Sequence, residues 1–176
     1  MKKYIEYIIL FTAGGGLGFQ VVHFWEHLMQ VFNWIFVQRQ YAYMTGLGMS
    51  ATNYFGNLFF SGYGMSDQTR LGMEVLHLVG NGIFLIGIIA VWYFIKNREI
   101  LWALIIEALH FCEHISLTFS SIFTGRSIGF STLYGLATDP QFMVTFRVWW
   151  HFILNLVPSV LIVVGIVLFF RYKKVN

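Results

Sequence analysis

Apolar residues dominate this chain in four long runs, at about 4–37, 71–94, 100–123 and 142–170, interrupted only by isolated polar positions. A helix needs roughly 20 mostly apolar residues to cross the hydrocarbon core of a bilayer, and each run reaches that length. The polar interruptions are themselves ordered. A helix turns about 100° per residue, so residues three, four and seven apart share a face. Gln20, His23, His27 and Gln30 make one stripe, and Glu74, His77 and Asn81 a second. Glu107, His110 and His114 make a third, and Arg147, His151 and Asn155 a fourth. Glu26 and Glu113 stand to the side of their stripes, within reach of an adjacent helix. Lipid would not tolerate such stripes, so they must face one another. The pattern predicts an all-α, integral membrane four-helix bundle in a single domain spanning 1–176.

The runs are related in pairs. Residues 20–39 read QVVHFWEHLMQVFNWIFVQR and residues 107–126 read EALHFCEHISLTFSSIFTGR, which share His, Phe, Glu, His, Phe, Ile, Phe and Arg without a gap. His77 with Asn81 and His151 with Asn155 repeat a second, weaker match. The expected architecture is two duplicated helical hairpins, about 4–95 and 99–172, running in the same direction. A parallel repeat of this kind implies a pseudo-two-fold axis along the membrane normal. The outer loops fall at about 38–69 and 124–141. The first is rich in glycine and aromatics, too apolar for a solvated loop and too broken for another span. It is expected on the outer membrane surface or against other membrane subunits. Gly14, Gly15, Gly16 and Gly18 read as packing positions that let a neighbouring backbone approach.

Composition agrees. Of 176 residues, 57% are hydrophobic and 11% charged, against about 25% charged in a soluble domain; mean hydropathy is +0.67. Lys2, Lys3, Lys96, Arg98, Arg171, Lys173 and Lys174 flank one side of the bundle, and Arg39, Arg70, Arg126 and Arg147 the other. With every lysine on one side, the positive-inside bias puts both termini in the cytoplasm of a multi-pass protein of the cell membrane. The net charge of +3 lies in these flanks rather than on a face, so it implies no nucleic acid. Lys2 and Lys3 ahead of an apolar stretch resemble a signal peptide, but Glu6 interrupts it, and the first helix is expected to be retained. The single cysteine, Cys112, replaces Trp25 in the repeat and reads as a packing residue. Trp149 and Trp150 read as interface anchors.

All six histidines lie in the apolar runs, and at about 1.5 Å rise per residue they converge between the midplane and the outer end. Glu26, Glu74, Glu107 and Glu113 are buried with them. A charged side chain at the centre of a spanning helix costs roughly 2.5–3.5 kcal/mol even on the lenient insertion scale, and a bound cation would offset it. The candidate metal ligands are therefore His23, Glu26, His27, Glu74, His77, Glu107, His110, Glu113, His114 and His151. Imidazole and carboxylate suit copper, iron or zinc. Glu74-x-x-His77 and Glu107-x-x-His110 carry the Glu-x-x-His spacing of di-iron bundles, yet the fourth helix offers no glutamate. Two other readings compete: a metal-free His–Glu hydrogen-bond network, and haem b held by His27/His114 or His77/His151. Arg147 either pairs with a buried glutamate, attracts an anion, or snorkels to the interface.

HisPheTrpGluHis at 23–27, GluValLeuHis at 74–77 with Asn81, HisPheCysGluHis at 110–114, and ArgValTrpTrpHis at 147–151 with Asn155 and Pro158 together carry a resemblance. The chain is similar to a group of small bacterial four-helix membrane proteins with paired HxxEH motifs and no assigned function. The resemblance covers all four helices but not the outer loops. It implies an acidic residue where this chain has Trp149, which would have completed the carboxylate set, and it implies no activity.

The expected function is transition-metal binding, mono- or dinuclear, by His and Glu in the outer half of the bundle, for redox chemistry or metal handling. The alternatives are a non-catalytic accessory subunit of a respiratory or copper monooxygenase type of complex, docked through 38–69, and a haem b electron-transfer subunit. No nucleophile–base pair or phosphate-binding glycine loop supports a hydrolase or a nucleotide-driven transporter.

Overall fold

The computed structural model of the chain describes residues 2–37, 43–136 and 139–175, with side chains within 3–173. Five α-helices make up most of it: α1 (Lys2–Phe36), α2 (Gly46–Phe60), α3 (Met65–Phe94), α4 (Arg98–Thr124) and α5 (Pro140–Val175). A short 3-10 segment, Phe130–Gly135, joins the last two, and no strand occurs among the described residues. The fold is all-helical, and α1, α3, α4 and α5 are long and apolar enough to cross a membrane. They coincide with the four apolar runs.

Local signals set the helix ends. Asn97 caps α4, its Oδ1 accepting from the Ile100 N–H at 3.0 Å, and Gly125 closes it with a left-handed φ of 71°. The Asn97 amide also donates to the Gly165 carbonyl at 2.8 Å, which ties the α3–α4 turn to α5. Pro140 opens α5, where a missing N–H removes no helical hydrogen bond. The long helices pack in the cyclic order α1–α3–α4–α5. α1 therefore lies diagonally from α4, and α3 from α5. α1 and α3 touch backbone to backbone: a Cβ on Gly16 would stand 2.6 Å from the Gly87 Cα. Phe84, Ile88, Ile100, Ala103 and Ile162 fill the interior toward the lysine-bearing end. Polar side chains fill it toward the other.

The stretch 38–69, expected to be a loop too broken by glycine for another span, is partly helical. It contains α2, which is capped by Thr45 accepting from the Gly48 N–H at 3.2 Å. Its glycines permit close approach instead of breaking the helix. A Cβ on Gly56 would meet the Gln68 carbonyl, and one on Gly72 would meet the Thr52 carbonyl and the Gly56 backbone. α2 thus lies against the first turns of α3 in its own chain, leaving Tyr54, Leu58 and Phe59 exposed. Arg39 and the rest of 38–42, residues 137–138, and the side chains of Lys2 and Lys174 lie outside the described residues.

Candidate metal centre

The four polar stripes do face inward, and they bring all six imidazoles into one cluster. His23 and His27, one turn apart on α1, have Nε2 atoms 3.3 Å apart. His110 and His114, one turn apart on α4, have theirs 3.1 Å apart. His77 from α3 stacks on His114 with ring centroids 5.4 Å apart, and His151 from α5 stacks on His27 at 5.9 Å. His77 and His151 themselves are 6.1 Å apart. One ring nitrogen each from His110, His114 and His151 can be chosen so that all three lie within 4.8 Å of one another.

Several ring nitrogens have their tautomer set by the helix that carries them. His77 Nδ1–H donates to the Met73 carbonyl and His151 Nδ1–H to the Arg147 carbonyl, both at 2.8 Å. Each then keeps the Nε2 lone pair, and His151 Nε2 is buried without a partner. His27 Nδ1 lies 3.1 Å from Gln30 Oε1, which again leaves Nε2 as the acceptor. Asn81 and Asn155 each donate to the carbonyl of the histidine one turn earlier, at 2.8 Å.

The four glutamates have three different fates. Glu26 accepts from the Thr45 N–H at 2.7 Å and from the Thr45 hydroxyl at 2.5 Å, so it holds the start of α2. Glu113 accepts from the Ser131 N–H at 2.7 Å and from Trp150 Nε1–H at 2.6 Å, so it holds the 3-10 segment against α5. Two successive residues of that segment, Leu133 and Tyr134, have left-handed φ values of 46° and 54°, a conformation that L side chains rarely adopt. Glu74 is buried and accepts from Ser127 Oγ at 2.6 Å and Arg147 Nη2 at 3.2 Å. Of the three readings of Arg147, pairing with a buried glutamate is the one the geometry contains. Glu107 alone has no donor. It is 0% exposed, neither of its oxygens has a hydrogen-bond partner, and its Oε2 lies 3.6 Å from His110 Nδ1, itself unpartnered.

The structure therefore gathers His23, His27, His77, His110, His114 and His151, and sets Glu107 behind His110. It directs Glu26 and Glu113 to the connecting segments and Glu74 to Arg147. Trp150, Ser127, Ser131 and Thr45 were not foreseen as carboxylate partners. Only Thr45, a cap residue ahead of a helical stretch, carried a local signal. Cys112 is exposed on the outer side of α4.

A cavity of about 360 Å³ reaches the cluster from the end of the bundle opposite the lysines. His27, His77, His114 and His151 form its floor, with Met73, Met143, Val148, Gln30 and Arg147 among its walls. His23 and His110 lie deeper. Chemically, the arrangement is a cluster of imidazole nitrogens with the Glu107 carboxyl group, which has no hydrogen-bond donor, behind it and a cavity reaching its outer side.

A family model described as a family of unknown function (DUF6008) matches residues 5–175 of the chain. No curated protein and no solved structure matches it.

Proposed function

The chain belongs to this family of unknown function, and from its own geometry we propose that it is a membrane protein binding a transition metal at His110, His114 and His151. The observation that carries the reading is the uncompensated donor set. Three imidazole nitrogens lie within 4.8 Å of one another, His151 Nε2 has no partner, and the Glu107 carboxylate behind His110 has none either. Buried polar groups are ordinarily satisfied, and a buried carboxylate without a donor costs far more than a neutral group. A cation coordinated by the three rings would use the His151 lone pair and favour the ionised form of Glu107 behind His110. Three nitrogen ligands with a cavity above them leave a coordination position open. A bound copper, iron or zinc ion would supply redox or Lewis-acid chemistry there.

The same reading places the four long helices across the cell membrane. Phe11, Phe123, Val163 and many other apolar side chains are exposed on the bundle's outside, where lipid suits them. The lysine-bearing end faces the cytoplasm by the positive-inside bias, so the cavity opens outward. Duplication of a helical hairpin accounts for the matching histidine pairs on α1 and α4 and the matching His–Asn pairs on α3 and α5. The exposed Tyr54, Leu58 and Phe59 of α2 favour a second reading, in which this face docks a larger membrane enzyme and the chain is its accessory subunit. Haem b fits the cluster less well. Around His77 and His151 the remaining imidazoles stand within 5.0–5.9 Å between centroids, in the space that a macrocycle would need.

Elemental analysis and an absorption spectrum of protein gently solubilised in detergent test the proposal. We expect at least one transition-metal ion per chain and no Soret band, with His151→Ala losing the metal while its helical circular dichroism is kept. Protein that takes up neither Zn²⁺, Cu⁺ nor Fe²⁺ on reconstitution would reject it, and a Soret band would move the assignment to haem.

A further inference from the structure

We infer that the bundle holds a second metal position, formed by His23, His27 and His77, and that it binds its ion more weakly than the first. The inference rests on the metal-binding reading above. The ring centroids of the two sets correspond closely, although the set whose three ring nitrogens come within 4.8 Å of one another is the first. Ring centroids of His23 and His27 are 4.7 Å apart, against 4.8 Å for His110 and His114. His23 and His77 are 5.5 Å apart, against 5.6 Å for His110 and His151. His27 and His77 are 5.6 Å apart, against 5.0 Å for His114 and His151.

One of the hydrogen bonds that prepare the rings is common to both sets. His77 and His151 both donate Nδ1–H to the carbonyl four residues earlier at 2.8 Å, and both present Nε2. In the second set His27 Nδ1 is held by Gln30 at 3.1 Å, so His27 also presents Nε2, and its neighbour His23 brings Nε2 to 3.3 Å from it. His27 and His77 both reach the cavity, so an ion has a way in. The class of ligand is a d-block cation that accepts three nitrogen donors, such as Zn²⁺ or Cu⁺.

Two positions make the sets unequal. Gln30, which holds His27 Nδ1, has Leu117 as its counterpart, so His114 Nδ1 is without a partner. The other lies at the start of the repeat. Gln20 and Glu107 open the two matching segments of the repeat, each three residues before its first histidine. The Gln20 amide donates to Asn155 Oδ1 at 3.0 Å and to Ser159 Oγ at 3.3 Å. It is a neutral brace between α1 and α5. Glu107 makes no such bond and faces His110 Nδ1 at 3.6 Å. A carboxylate behind the Nδ1–H of a ligating histidine raises the basicity of the ring and orients it, and losing such a partner typically costs about 10–100-fold in metal affinity. Its negative charge also favours the nearer cation, strongly so where water is scarce. The first ion therefore goes to His110, His114 and His151. The second enters beside a charge already present, and Glu74, one turn before His77, is already paired with Arg147 and Ser127.

The test is a titration of metal-free protein in detergent with Zn²⁺ against a chromophoric chelator, repeated with Co²⁺ to read the d–d bands of each step. Wild-type protein should take up two ions in two separated steps. Glu107→Gln, an isosteric change, should weaken the first step by about 10–100-fold, shift its Co²⁺ bands and leave the second unchanged. Gln20→Glu, also isosteric, should tighten the second step and narrow the gap. His23→Ala with His27→Ala should remove the second step alone. Uptake of a single ion by wild type would overturn the second position while leaving the first standing. Two ions with Glu107→Gln acting on both steps equally, or on neither, would overturn the asymmetry. Uptake of no ion would remove the metal reading itself.

Discussion

At the scale of single residues, the glutamates of the two HxxEH segments show how position and role separate. Glu26 and Glu113 share a helix turn with ligand-like histidines, yet each carboxylate leaves the cluster to accept two donors from elsewhere. Glu113 receives the Ser131 N–H on one oxygen and Trp150 Nε1–H on the other. An amide in its place could accept only one of them and would aim its own NH₂ at the second. Glu113→Gln is therefore expected to cost about 1–3 kcal/mol, which lowers the melting temperature by roughly 2–4 °C per kcal/mol for a chain of this size. Metal stoichiometry should be unchanged. Thermal unfolding in detergent alongside elemental analysis checks both; loss of metal with full stability would return Glu113 to the ligand set. The histidines were legible in the sequence and the carboxylate partners were not. Imidazoles one turn apart on one helix are related by helical geometry alone. Glu113 and Trp150 are 37 residues apart with no period connecting them.

At the scale of elements, the glycines divide by what surrounds them. Gly16 meets Gly87 across the α1–α3 contact, whereas Gly14, Gly15 and Gly18 have nothing within 4 Å of a Cβ. Gly16→Ala should force the two backbones apart and destabilise by about 1–3 kcal/mol, as overpacking does. Gly14→Ala and Gly18→Ala should be neutral or gain up to roughly 0.5–1 kcal/mol from helix propensity. Thermal unfolding of the three variants settles this, and equal stability of Gly16→Ala and Gly14→Ala would dismiss the contact. α2 carries the same lesson. Read along the chain, Gly46, Gly48 and Gly56 look like breaks. Packed, Gly56 and Gly72 let two helix backbones approach, and Gly48 makes room for the Glu26 carboxylate, which a Cβ there would meet at 2.7 Å. Helix propensity reports the cost of glycine but not the contact that offsets it.

At the scale of the whole molecule, the bundle is polarised along its axis, with an apolar interior toward the lysine-bearing end and the histidine cluster toward the other. Four spans with the positive-inside bias predict that both termini and the α3–α4 turn share the cytoplasmic side. In a Cys112→Ser background, Gly62→Cys and Arg126→Cys should react with an impermeant maleimide in intact cells. Lys3→Cys and Lys96→Cys should react only after permeabilisation. The opposite pattern would invert the orientation and turn the cavity inward, and labelling of positions 3 and 62 from the same side would defeat the four-span arrangement.

The sequence by itself determined four long helices, their polar stripes and the convergence of six histidines, because each follows from the 3.6-residue period and from the cost of leaving polar groups unpartnered among apolar ones. The tertiary structure alone decided where the carboxylates go. Thr45 and Ser131 claim Glu26 and Glu113, Arg147 from 73 residues away claims Glu74, and Glu107 is left with His110. Those pairings depend on how connecting segments fold back and on which helix stands next to which. No local period encodes that, and it leaves Glu107 as the one of the four glutamates without a hydrogen-bond donor.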